Sequence, residues 1–344
     1  MNATTLSISK HRIANITGIP HLINWLHRQR LLVVTYHGVY DRYEDAALLP
    51  PTFVHVSRMK DQLSLLKDRY HVIRPEALLD AIVAGQKLPD HAALVTFDDA
   101  YGNLYELAAP LLESLNIVPI VFVPTLYVEK RLPFWYDLVW YFLANGKEAD
   151  RSWFAGLIGI KSFSNVKNAL TEKGLGILKR KPFLYRNEVV ERIEMRVKND
   201  LEFRKFLTKY FLAMTPDQIR RLCGRGFCFG GHTHTHTILT AMDSISCREE
   251  ISQNKSVLDA MTGKETLFFA YPNGGCDDFN DHHKEMLTLS GYVSAFSLIQ
   301  CRTSHLSDPL TIGRINVAPE DDSDSFWLRC TGTASLFRRI HKLH

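Results

Sequence analysis

The sequence predicts an α/β fold built on a parallel sheet, and three observations carry that prediction. Apolar runs of strand length, such as Ala92–Phe97 and Val118–Val123, recur along the chain. Apolar character at every position suits a strand covered on both faces. The segments between them carry apolar residues at helical spacing, so strand, helix, strand repeats as βαβ units. Such alternation builds a parallel sheet, open or closed into a barrel.

Taken in order, residues 1–30 form an N-terminal extension in which Pro20 interrupts any long helix. Leu31–Tyr36 reads as a buried strand that stops at His37-Gly38. Met59, Leu63 and Leu66 mark a helix over 57–69, and Pro75 opens a second over Glu76–Ala84, ended by Gly85. The strand Ala92–Phe97 runs into Asp98-Asp99, followed by a helix over Leu104–Leu115 and the strand Val118–Val123. The rhythm resumes with strands at Gly226–Phe229, Leu267–Tyr271 and Tyr292–Ser297, and helices at Cys247–Met261 and His282–Ser290. Residues 31–344 are therefore read as one domain.

The stretch from about 130 to 215 breaks this rhythm. It opens on Phe134, Trp135, Tyr136, Trp140, Tyr141 and Phe142, and continues with Val190, Ile193, Val197 and Leu201 at helical spacing. It reads as a helical insertion between two βα units. Its aromatics either pack against the sheet, as most aromatics do, or wall a sugar or lipid site. Thr215-Pro216-Asp217 closes the insertion as an N-cap with proline at the first helical position.

Composition narrows the classes. With 344 residues, 46% apolar and 23% charged, the chain is globular and long enough to bury a real core. Its 41 basic and 37 acidic residues leave a net charge of only +4, which argues against nucleic-acid binding. The longest apolar runs are too short to span a bilayer, and no secretory signal is evident; a cytoplasmic location is expected. The tail Arg338, Arg339, His341, Lys342 and His344 is a solvated end or a weak contact to the inner membrane face. The six cysteines form no CxxC pair and are expected to be reduced and structural.

Three short segments carry chemistry, each at the end of a predicted strand, where functional groups of parallel α/β folds gather. The first is Thr96-Phe97-Asp98-Asp99. Neighbouring residues on a strand face opposite ways, but a turn at its end lets both carboxylates face one pocket. One would then bind a cation and the other act as a base; the plainer reading is a helix cap. The second is Gly230–His236, in which His232 and His236, four apart, share one face of a helical turn and suit one metal, while His234 points elsewhere. The third is Phe269–Gly275, where a strand runs into a Pro-Asn-Gly-Gly turn whose N–H groups can serve an oxyanion. One aspartate and two histidines suit a divalent ion with open positions, and a free carboxylate beside them favours hydrolysis.

Together these motifs resemble the polysaccharide deacetylase family, over roughly residues 31–317. Thr96–Asp99 is similar to its aspartate pair, His232-Thr233 with His236 to its metal motif, and Ala270–Asn273 loosely to its arginine-proline-proline-tyrosine turn. The resemblance implies a distorted (β/α) barrel and metal-assisted N-deacetylation of an amino sugar. It implies Asp98 as general base, Asp99, His232 and His236 as ligands of a zinc-like ion (cobalt, nickel or iron also fit), and the Asn273 N–H at the oxyanion. Ala100 replaces the family's glycine and Ala270 its arginine, and the late leucine-x-histidine motif is not evident. Val34–Val39 resembles the Tyr-His motif of the permuted poly-N-acetylglucosamine deacetylase branch, which makes His37 the general acid. Arg314 is the candidate for the missing arginine.

The substrate expected is an N-acetylated amino-sugar oligomer, a cell-surface polysaccharide or its precursor. Alternatives are deacetylation or deformylation of a lipid-linked sugar at the membrane face, a non-catalytic metal-bearing sugar-binding protein, and an iron-dependent oxygenase.

Overall fold

The computed structural model describes residues 18–160, 167–304, 306 and 308–334. The basic tail lies outside them. The first described helix, α1 (Ile19–Leu26), starts after left-handed Gly18 with Pro20 in its first turn. Pro20 thus opens a short helix instead of interrupting a long one, because its missing N–H is not needed there.

The expected strands are present, with ends shifted by up to two residues. They are β1 (Leu32–Tyr36), β5 (Ala92–Phe97), β6 (Ile120–Val123), β7 (Cys228–Gly231), β8 (Phe268–Ala270) and β9 (Ser294–Phe296). Short strands were not anticipated: β2 (Val39–Tyr40) pairs with β3 (Val54–His55), β4 (His71–Val72) pairs with β5, and β10 (Ile315–Asn316) pairs with β1. The main sheet runs β10-β1-β5-β6-β7-β8-β9, with every pair parallel. Residues 312–317 touch both of its edges: Ile312 N–H donates to Ala295 O and Ser297 N–H to Ile312 O, while Val317 N–H donates to Thr35 O. One short segment therefore closes the sheet into a barrel too irregular for a full closing strand.

Period-two alternation decides what fills it. Val33, Leu94, Ile120, Phe122, Phe268, Ala270, Phe296 and Ile312 form one buried cluster. The Phe122 and Phe296 rings lie 5.3 Å apart within it. Leu32, Val34, Tyr36, Ala93, Val95 and Phe97 face the other way, into the larger core beneath the helices.

The connecting helices follow the sequence pattern: α2 (Val56–Arg69), α3 (Pro75–Val83), α12 (Ser244–Thr262) and α13 (Asp281–Leu289). The helix expected over Leu104–Leu115 is split. Leu104–Ala108 is a π-helical turn and α4 covers only Ala109–Ser114. Pro110 cannot donate back to the preceding turn, which widens.

The insertion is helical as expected: α5 (Thr125–Lys130), α6 (Trp135–Asn145), α7 (Glu148–Leu157), α8 (Lys167–Lys179), α9 (Phe183–Arg196) and α10 (Leu201–Tyr210). Antiparallel bridges Pro133–Leu212 and Tyr101–Ala213 pin its start and end side by side. The stripe read through Val190, Ile193, Val197 and Leu201 is corrected. Val197 ends α9, and Leu201 begins α10 with its side chain exposed. The buried face of α9 is Arg186, Val189 and Ile193. A charged residue in that row is invisible to a search for apolar spacing. α11 (Pro216–Gly224) begins with the expected cap, since Gln218 N–H donates to Thr215 Oγ1 and the Gln218 side chain accepts from Thr215 N–H. The final described helix, α14, covers Ser323–Thr331.

Candidate active site

The same alternation delivers the site. Val33 and Thr35 face the barrel interior, and His37 follows two residues on. Leu94 and Thr96 are followed by Asp98, and Cys228 and Gly230 by His232. Parallel strands put these continuations at one end of the barrel. His37, Asp98, Asp99, His232, His236 and Asn273 all line one cavity of about 450 Å³.

Asp99 and His236 need more than alternation. Asp99 and Ala100 both have positive φ, 71° and 52°, and so do Thr233 and His236, at 56° and 55°. Left-handed backbone costs a non-glycine residue roughly 1–2 kcal/mol, so strain is concentrated where the chain must turn two neighbouring side chains into one pocket. It explains the expected glycine at position 100, and Ala100 adopts the glycine conformation regardless. The helical turn expected at His232–His236 is absent: the segment is an irregular loop. The two imidazoles converge because of the left-handed residues, not because of a 3.6-residue period. His234 does point away, its Nδ1 2.9 Å from Thr125 Oγ1.

Asp99 Oδ1 lies 3.2 Å from His236 Nε2 and 3.7 Å from His232 Nε2, and the three ligand atoms all fall within 4.8 Å of one another. Ligands about 2.1 Å from a tetrahedral ion sit roughly 3.4 Å apart, so the spacing fits one ion. Asp99 Oδ1 is moreover buried with no hydrogen-bond partner among the described residues. His232 Nδ1 lies 2.7 Å from Ala270 O. That carbonyl can only accept, so the proton sits on Nδ1 and Nε2 keeps its lone pair for an ion. Burial pushes the His232 pKa down to about 4, which keeps the imidazole neutral. Ala270, loosely at the position of the family's arginine, anchors His232 through its backbone carbonyl.

Arg314 holds Asp98 bidentately, Nη1 to Oδ1 at 2.6 Å and Nη2 to Oδ2 at 2.9 Å. Both residues are buried, at 0% and 2% exposure. Arg314 Nε also donates to Ser297 O and Nη1 to Thr35 Oγ1, and the guanidinium rests 5.4 Å over the Phe122 ring. Burial raises the Asp98 pKa, but Arg314 and the nearby His232 and His37 outweigh it and leave it below the usual value. His37 Nε2 is 3.8 Å from Asp98 Oδ2, while its Nδ1 is buried without a partner among the described residues. The Asn273 side chain is fixed between Lys179 Nζ, which donates to Oδ1, and Asp278 Oδ2, which accepts from Nδ2. Its backbone is left-handed, with φ 63°. All six cysteines are free, and none belongs to the cluster of possible ligands.

Sequence reasoning missed Asn254, the fully buried hub of this end of the barrel. Its Nδ2 donates to Val123 O and Thr233 O, and its Oδ1 accepts from His232 N–H and Tyr292 OH. It lies on α12 in a polar-looking stretch, Ser252-Gln253-Asn254-Lys255, that offers no distinguishing signal. Asn254→Ala is expected to cost about 2–4 kcal/mol, because several buried backbone groups lose their partner at once. Thermal unfolding measures that. A loss under 1 kcal/mol would show that the loop does not depend on it. Trp135, Tyr136 and Trp140 line the cavity, while Phe134, Tyr141 and Phe142 are core, and Trp135 belongs to both.

The likeness to polysaccharide deacetylases is borne out by comparison. The family model described as polysaccharide deacetylase matches residues 188–293, which include His232 and His236. An uncharacterised 30.6 kDa protein of Geobacillus stearothermophilus is 23% identical over 113 residues, 33% of this chain and 42% of that protein. The fold is similar to that of the Streptococcus pyogenes deacetylase PplD in complex with acetate, with a TM-score of 0.59, 16% identity, and 88% and 98% of the two chains covered. It is also similar to IcaB from Ammonifex degensii, with a TM-score of 0.52, 19% identity, and 89% and 97% covered. A de-N-acetylase from Aggregatibacter actinomycetemcomitans matches with a TM-score of 0.55, 16% identity, and 87% and 99% covered. At these identities the structural likeness establishes the distorted barrel as the shared fold.

Proposed function

Proceeding from that likeness, we propose that this chain is a metal-dependent hydrolase that removes the acetyl group from an N-acetyl amino sugar of a polysaccharide or its precursor. The observation that carries the reading is Asp98. A protein that only holds a metal or a sugar needs no second carboxylate beside its ligand set, and neither does an iron oxygenase. Here that carboxylate is buried, gripped on both oxygens by Arg314, and opens on the same cavity as Asp99, His232 and His236.

Asp99, His232 and His236 would hold the divalent ion, zinc by its preference for such donors. Bound there, it would lower the pKa of a water toward 7 and polarise the acetamide carbonyl. Asp98 accepts the water proton; the Arg314 fork fixes its orientation and keeps it ionised, so Arg314 is a positioning residue. The Asn273 N–H faces the developing oxyanion. His37 donates a proton to the departing amine, which is a poor leaving group without one.

The test is acetate release from N-acetylglucosamine oligomers by metal-free protein and by protein given Zn²⁺, Co²⁺ or Ni²⁺. Metal-dependent release is expected, and its absence with every metal and oligomer would overturn the reading. His232→Ala is expected to cut zinc affinity by at least tenfold. Full zinc occupancy in that variant, measured by elemental analysis at limiting metal, would remove His232 from the ligand set.

A further inference from the structure

The helical insertion completes the cavity with groups that the hydrolysis does not use. Arg186, on α9, is 2% exposed and lines the cavity. Its Nη2 donates to Thr237 Oγ1 at 2.5 Å, and its Nε is buried with no partner among the described residues. Its guanidinium sits 5.4 Å from the Trp135 ring centre. Trp135 and Trp140 also line this wall, and the Nε1 of each is buried without an acceptor among the described residues. Lys179 reaches the same cavity from α8, with its ammonium on Asn273 Oδ1.

Indole and guanidinium N–H groups can only donate, so whatever satisfies them must accept. The charges say more. No carboxylate pairs directly with Arg186 or Lys179 among the described residues. Glu250 reaches Arg186 only through two hydroxyls, Thr235 Oγ1 and Thr237 Oγ1. Burial raises the pKa of Asp137, also on this wall, well above the usual carboxylate value, and its Oδ2 accepts from Tyr101 OH at 2.5 Å. Glu172 is the remaining acid of the wall and is exposed. A buried guanidinium without a direct counter-charge is costly, and a bound oxyanion removes that cost.

Resting on the deacetylase reading, we propose that the insertion wall binds an anionic substituent of the substrate. The preferred sugar then carries a phosphate or a carboxylate in addition to its acetamide, and a neutral homopolymer is the poorer ligand. Arg186 supplies a rigid fork suited to either oxyanion, Lys179 a second charge, and the two indoles further donors.

The experiment is calorimetric binding to the zinc-loaded full chain at low salt. The probes are N-acetylglucosamine 1-phosphate, N-acetylmuramic acid and neutral N-acetylglucosamine. At least one anionic sugar is expected to bind about tenfold more tightly than the neutral one, and which of them does identifies phosphate or carboxylate as the source. In Arg186→Gln the preference is expected to fall below about threefold with zinc content retained. Arg186→Lys, which keeps a buried charge, is expected to retain part of it and serves if the glutamine variant does not fold. Equal affinities in the native protein would overturn the proposal. A preference that survives in Arg186→Gln would also overturn it, by assigning the anion to the metal. Acetate release measured beside binding separates the two readings. Release without anion preference rejects the wall alone, and preference without release rejects the deacetylase reading alone.

Discussion

Asp98→Asn is expected to lower acetate release by roughly 10²–10⁴-fold, the usual contribution of a general base, while zinc content is unchanged. The variant keeps an oxygen for Arg314 Nη1 or Nη2 but loses the charge that both faced. Two losses are therefore expected together, catalytic and structural. In the proposed function zinc would be held by Asp99, His232 and His236, whose arrangement depends on left-handed backbone and on Asn254, not on Asp98. Elemental analysis beside turnover separates the roles. Full turnover in the variant would remove Asp98 as base, and loss of zinc would show that it belongs to the ligand set instead.

Much of this site was legible because the strands alternate. A run such as Ala92–Phe97 fixes which residues face inward, and Asp98, His37 and His232 each continue an inward row by two. The family motifs then named the rest. What was not legible depended on contacts between segments far apart in the chain. The left-handed turn at His236 has no glycine to announce it. The closing segment 312–317 is too short to read as a strand. Nothing in the local sequence marks Asn254 or Arg186, and only the folded chain reveals one as a hydrogen-bond hub and the other as a buried cation. Arg314 was a candidate by position alone. Its bidentate grip on Asp98 shows how a chain with Ala270 loosely at the family's arginine position still presents a guanidinium to that carboxylate.

That relocated arginine makes a sharper test than either residue alone. Arg314→Met leaves Asp98 buried and without its counter-charge, and removal of one partner from a buried ion pair costs about 3–5 kcal/mol. Asp98 is only 2% exposed, so water from the cavity makes up little of the loss. Arg314→Lys is expected to rescue only partly, because a single ammonium cannot hold both carboxylate oxygens and Ser297 O at once. The double variant Asp98→Asn/Arg314→Met removes both charges. It is expected to unfold at a higher denaturant concentration than Arg314→Met alone, and still to release no acetate. Stability is thus partly recovered between the single and double variants while turnover is not, whereas a purely structural pair would recover both and a purely catalytic one would leave stability unchanged. A double-mutant cycle on urea unfolding reads the coupling. Additive losses would show that Arg314 stabilises the barrel through Ser297 and Phe122, and that its fork on Asp98 contributes little.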